Sequence, residues 1–137
     1  KKIKGDVFYV DPPYNSRQYS RFYHVLETIT KWDKPKLEGV AMKPPTENAS
    51  EYSKTKAPEV FKDLITNIDA KLIVVSYNNT YKSKSSSSKN KIQLGEIEAV
   101  MKDKGKTEII SSDHKFFTSG KTSFTDHKEF LFITKVN

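Results

Sequence analysis

Residues 6–14 read DVFYVDPPY. Asp6 to Val10 carry an apolar, β-branched and aromatic run with no alternation, the pattern of a strand buried on both faces, and Pro12 and Pro13 stop it. The period then changes. Phe22, Val25, Leu26 and Ile29 fall at i, i+3, i+4 and i+7, one face of a helix that Ser20 would cap, with Trp32 just beyond it as a core or edge aromatic. A buried strand feeding a helix points to an α/β protein.

The same alternation recurs downstream. Residues 34–57 are rich in Pro, Lys, Ser and Asn without a sustained period and read as a long surface loop. Pro58 suits the first turn of a second helix that carries Val60, Phe61, Leu64, Ile65 and Ile68 and closes at Asp69 and Ala70. Leu72 to Tyr77, LIVVSY, is a second continuous apolar run ending in the polar cluster Asn78, Asn79 and Thr80. Residues 82–91, KSKSSSSKNK, lack any apolar anchor and read as a flexible basic loop. A third helix bears Leu94, Ile97, Val100 and Met101, with Gly105 expected to end it in the left-handed conformation. Thr107 to Ser112 and Glu129 to Thr134 read as two antiparallel strands with a long connection. The expectation is one α/β domain over residues 1–137: a mostly parallel sheet, helices on both faces, one antiparallel strand near the C-terminus, and ligands at the carboxyl ends of the strands.

Composition narrows the classes. With 137 residues, 24 Lys and Arg against 17 Asp and Glu give a net charge of +7, which favours a polyanionic partner. The absence of cysteine excludes a disulfide framework, a Zn–Cys site and a thiol nucleophile, and His24, His114 and His127 are too scattered to suggest a metal. No apolar run is long enough for a membrane span and no signal peptide precedes the first strand, so the cytoplasm is the default location. The chain opens KKIKGD without Met, as if cut from something longer.

Asp11-Pro12-Pro13-Tyr14 is the stretch that carries chemistry. An ionised Asp11 only accepts hydrogen bonds, so it can receive one from an amino group and favour the positive charge that nitrogen gains on attacking a methyl group. Pro12 has no N–H but keeps a carbonyl as a second acceptor, Pro13 stiffens the turn, and Tyr14 offers a flat face to an unstacked base.

The longer string DPPYNSRQYSRFYHVLETI resembles the adenine-specific DNA methyltransferases of the D12 class, which includes Dam-like and FokI-type enzymes. VVSYNN is similar to the family's fifth-strand segment, and FFTSGKTSFTDHKEFLFI to its last two strands. The resemblance implies a Rossmann-like class I methyltransferase sheet, S-adenosylmethionine as methyl donor and duplex DNA as partner. It implies that Asp11 and the Pro12 carbonyl accept from adenine N6, that Asp11 also lies near the cofactor's methyl end, and that Pro13 and Tyr14 complete the catalytic turn. Asn15, Ser16 and Arg17 would line the base pocket or hold a phosphate. Phe116 or Phe117 would supply a second aromatic face, and Lys121 a phosphate contact.

One departure qualifies the match. The family binds its cofactor through a Gly-rich turn and a downstream acidic residue, whereas Gly5, Gly39, Gly95, Gly105 and Gly120 are scattered. The chain therefore reads as the C-terminal half of a catalytic domain, inactive without the N-terminal half. The rival readings are an RNA guanine amino methyltransferase and a non-catalytic nucleic-acid-binding remnant.

Overall fold

The computed structural model describes residues 3–45, 49–81, 89–113 and 126–137. In chain order the elements are β1 (Ile3–Lys4), β2 (Val7–Val10), α1 (Tyr19–Phe22), α2 (His24–Lys31), a 3-10 turn (Glu51–Ser53), α3 (Ala57–Asn67), β3 (Ile68–Asp69), β4 (Leu72–Asn78), α4 (Leu94–Lys104), β5 (Gly105–Asp113) and β6 (Lys128–Val136). The main sheet has the order β2-β4-β6-β5, and β1 pairs with β3 in a two-stranded parallel ribbon beside it. β2 and β4 are parallel, while β6 runs antiparallel to both β4 and β5. Three strands therefore share one direction and the last runs against them, an α/β architecture with a mixed sheet.

Register sorts the side chains onto two faces. Phe8 pairs with Ile73, Val10 with Val75, Val75 with Phe132 and Tyr77 with Phe130, so all of these project to one side. There they meet Ala57, Phe61 and Ile65 of α3 and Ile97 and Met101 of α4, and together they make the core. Both helices form for legible reasons. Pro58 occupies the first turn of α3, where its missing N–H costs nothing. At the start of α4, Glu96 Oε2 accepts from Gln93 N at 2.7 Å, the returning half of a capping box.

The opposite face carries Val7, Tyr9, Val74, Ile110, Leu131 and Ile133, and no described helix covers it. Val7 and Tyr9 are 61% and 64% exposed while Phe8 and Val10 are half-buried, so β2 is partly covered on one face and not buried on both. The apolar run recorded a strand suited to two covered faces, but the described residues supply helices for one.

The first helix departs from its reading in the same way. It is broken at Tyr23 into α1 and α2, neither N-cap is a side-chain cap, and Ser20 lies inside α1. Val25, Leu26 and Ile29 do share a stripe, yet each is about 60% exposed, forgoing roughly 1.5–3 kcal/mol per side chain that burial would give. Trp32 is likewise exposed, ending α2 at a φ of 53° with Lys34 Nζ 5.1 Å from its ring centroid.

Gly105 also differs from expectation. Its φ of 167° is extended rather than left-handed, and it is the first residue of β5. Glycine is needed there because a Cβ would lie 2.1 Å from the Lys135 carbonyl oxygen on the neighbouring strand.

Candidate functional site

Parallel pairing of β2 with β4 sets Val10 opposite Val75, so the next residues, Asp11 and Ser76, emerge side by side at the carboxyl ends of the two strands. The Ser76 hydroxyl donates to Asp11 Oδ1 at 3.0 Å. Tyr14 Oη donates to the same oxygen at 2.8 Å. Among the described residues no donor is placed on Oδ2, and Asp11 is exposed.

Tyr14 is fixed from several directions. Its ring meets Tyr77 edge-on, 5.0 Å between centroids at 75°, a favourable aromatic geometry. Its carbonyl accepts from Lys91 N at 2.8 Å and from Tyr77 Oη at 3.3 Å. Burial first, and then the hydrogen bond to Asp11 and that carboxylate's charge, hold the Tyr14 phenol well above the ordinary tyrosine range, so it remains a protonated donor. Tyr77, more deeply buried, is pushed up to about 12 chiefly by desolvation.

Two cavities open on this turn. One, of about 230 Å³, is walled by Asp11 to Asn15 and Arg17 on one side and by Tyr19, Phe22 and Tyr23 on the other. The other, of about 270 Å³, lies on the open sheet face between Tyr9, Ser76, Ser112, Glu129 and Leu131. Asp11 and Tyr14 line both. Asp11, with no donor on Oδ2 among the described residues, thus lies between two separate spaces.

Of the residues expected at the site, Asp11, Pro12, Pro13, Tyr14, Asn15 and Arg17 are brought together around the first cavity. Ser16 is half-buried and is not among the residues lining it. Asn15 Oδ1 accepts from Arg17 N at 3.0 Å, which turns the chain directly after the tetrapeptide. Phe116, Phe117 and Lys121 lie outside the described residues, as do residues 82–88 of the basic loop.

Sequence reasoning gave no role to several residues that the structure places at the centre. Ser76, Tyr77, Asn78 and Asn79 each bind a different part of the site. Tyr77 Oη bridges Tyr14 to Ile92 N, and the Asn90 amide donates to Asn78 O at 2.6 Å and to Asn78 Oδ1 at 2.9 Å. Asn79 donates to Asp126 O at 2.8 Å and accepts from Lys128 N at 3.0 Å, clamping the start of β6. The available signal was a polar tail on a buried strand, at the strand end where open α/β sheets bind ligands. The aromatic wall of Tyr19, Phe22 and Tyr23 was also missed, because periodicity sets Phe22 on a helix face with Val25, Leu26 and Ile29 and says nothing of a cavity beside it.

Asp11 Oδ2, which has no donor among the described residues, is an acceptor of the chemistry that suits a sulfonium cation such as that of S-adenosylmethionine. Among the described residues, no group of three or more His, Asp or Glu side chains gathers as metal ligands do, and no helix is long and apolar enough to cross a membrane.

Comparison with known proteins shows what the chain resembles. The chain is 30% identical over 128 residues to the type II methyltransferase M.NlaIII of Neisseria lactamica, covering 93% of this chain and 36% of that protein. It is 33% identical over 135 residues to the type II methyltransferase M.CviAII of Paramecium bursaria Chlorella virus 1, covering 98% of this chain and 38% of the relative. The modification methylase StsI of Streptococcus sanguinis is 44% identical over 81 residues, 58% of this chain and 12% of its own length. The chain thus spans well under half of each of these relatives. No solved structure matches it significantly. Residues 1–88, which contain the DPPY turn, Ser76 and Tyr77, match the family of D12 class N6 adenine-specific DNA methyltransferases, and the chain belongs to that family.

Proposed function

We propose that the full-length protein carrying this chain transfers a methyl group from S-adenosylmethionine to the N6 amino nitrogen of adenine in duplex DNA. One observation carries the reading: Asp11 stands in the wall of both cavities with Oδ1 held by two protein donors and Oδ2 free of any described donor. S-adenosylmethionine, when bound, supplies a methyl group on a sulfonium sulfur. Asp11 Oδ2 accepts one N6 hydrogen and the Pro12 carbonyl the other, which aims the nitrogen lone pair and stabilises the positive charge it gains. Because Asp11 is exposed, the proton that N6 sheds has a route to water. Tyr14 stacks on the extruded base, a role supported by its fixed ring, and Asn15, Ser16 and Arg17 hold the nucleotide around it. Phe116 or Phe117 supplies a second aromatic face to the base and Lys121 a phosphate contact; all three lie outside the described residues.

The chain supplies half of a Rossmann-like class I methyltransferase sheet. Its partner is an N-terminal half that brings the cofactor's Gly-rich turn and covers the open face of Val7, Tyr9, Leu131 and Ile133. The uncovered apolar strands and the exposed stripe of α2 support this. Without that half the chain is inactive. The modification methylases among its relatives support a place in a restriction-modification system, acting on DNA in the bacterial cytoplasm.

The test uses the full-length protein with methyl-labelled S-adenosylmethionine and either unmethylated duplex DNA or structured RNA. Labelled N6-methyladenine from DNA is the expected product. Labelled N2-methylguanine from RNA would replace this reading with the guanine one.

A further inference from the structure

We infer that Ser76 is a positioning residue for methyl transfer, acting through Asp11. The inference rests on the methyl-transfer reading above and adds a residue to it. Ser76 is 8% exposed, and its hydroxyl donates to Asp11 Oδ1 across two strands at 3.0 Å. Serine is an unexpected choice at this point. It interrupts the run LIVV on a central strand, where a β-branched residue would pair better, and its cross-strand partner on the open face is Leu131.

The geometry gives the hydroxyl a purpose. A carboxylate held by one donor can still swing about its Cα–Cβ and Cβ–Cγ bonds. Two donors converging on one oxygen from different elements, Tyr14 from the turn and Ser76 from β4, fix both torsions. Oδ2 is then left as the acceptor on offer to a substrate amino group. The Tyr14 donor is anchored in turn by Tyr77 and Lys91, and Ser76 by the sheet itself, so the frame does not depend on bound ligand. Ser76 touches neither reactant in this account. It keeps Asp11 within the narrow range of orientations that the reaction uses.

The test compares Ser76→Ala, Ser76→Thr, Asp11→Ala and the Asp11→Ala/Ser76→Ala double variant in the full-length protein, with long unmethylated duplex DNA as substrate. Ser76→Ala is expected to lower kcat roughly ten-fold, with KM for DNA and for S-adenosylmethionine within about two-fold of the parent. Equilibrium affinity for the same DNA, read by fluorescence anisotropy, should not change. Ser76→Thr keeps the hydroxyl and should recover kcat to within about three-fold. The double variant should be no slower than Asp11→Ala, because the serine acts only through that carboxylate. A Ser76→Ala enzyme at the parental rate, a loss that resides in DNA affinity, or a threonine variant no better than alanine would each overturn the role while leaving the methyltransferase reading intact. A parental protein that makes no N6-methyladenine would overturn both.

Discussion

β2 and β4 are neighbours in one sheet and read alike in sequence, as continuous apolar runs ending in polar residues, yet they stand in different surroundings. β4 lies between β2 and β6, and its Ile73, Val75 and Tyr77 are fully buried. β2 is paired on one side within the main sheet and leaves Val7 and Tyr9 exposed. The helices repeat the contrast: α3 and α2 both carry apolar stripes, but α3 buries Ala57, Phe61 and Ile65 whereas α2 buries nothing. An apolar run or stripe thus reports the environment a segment is built to occupy, and the contacts among the described residues satisfy that demand at β4 and α3 but not at β2 and α2. The site lies on the seam between the two regions. Its acid comes from the end of β2, and its supports come from the end of β4.

The contrast can be broken or sharpened by substitution. On the well-packed side, Phe61→Ala removes a fully buried ring from the core of α3 and should cost about 3–5 kcal/mol in urea unfolding of the full-length protein. A loss below about 1 kcal/mol would mean that α3 is not the anchor of the sheet. At the seam, Tyr77→Phe removes a hydroxyl that bridges Tyr14 O and Ile92 N, and should cost about 1–2 kcal/mol near neutral pH. The same residue gives a pH signature. Its folded pKa, raised to about 12 above the ordinary tyrosine value, makes its contribution complete below about pH 10 and lost as pH rises through 12. The alkaline fall in stability should therefore be shallower in Tyr77→Phe than in the parent. The smallest effect belongs to the open side: Ile29→Ser should change the stability of the 137-residue chain by less than about 0.5 kcal/mol, as at other exposed positions. In the full-length protein the same substitution should cost more than about 1 kcal/mol if further chain covers α2. Equal costs in both would leave the stripe uncovered throughout.

Much of this was legible from the residues. The DPPY turn after an apolar strand was legible as the stretch to look at, and the structure puts Asp11 in the wall of both cavities there. The cores of α3 and α4 followed from the spacing of Phe61, Ile65, Ile97 and Met101. Three things were not legible, each for a physical reason. Sequence order does not give strand order, so the insertion of β6 between β4 and β5 could not be read from the strands themselves. The bond from Ser76 to Asp11 spans two strands and depends on the register Val10 to Val75, which is a property of the paired sheet. Periodicity distinguishes helix faces but not what lies against them, so the cavity that Phe22 of α1 lines with Tyr19 and Tyr23 was not legible.

The central claim is that Asp11 is the acceptor that orients the target amino group. The most direct measurement is the single-turnover rate of N6-methyladenine formation by the full-length protein and its Asp11→Ala form, with DNA affinity measured in parallel. The account predicts a rate lower by a factor on the order of a hundred or more at nearly unchanged affinity. An Asp11→Ala enzyme that methylates adenine at the parental rate would contradict it.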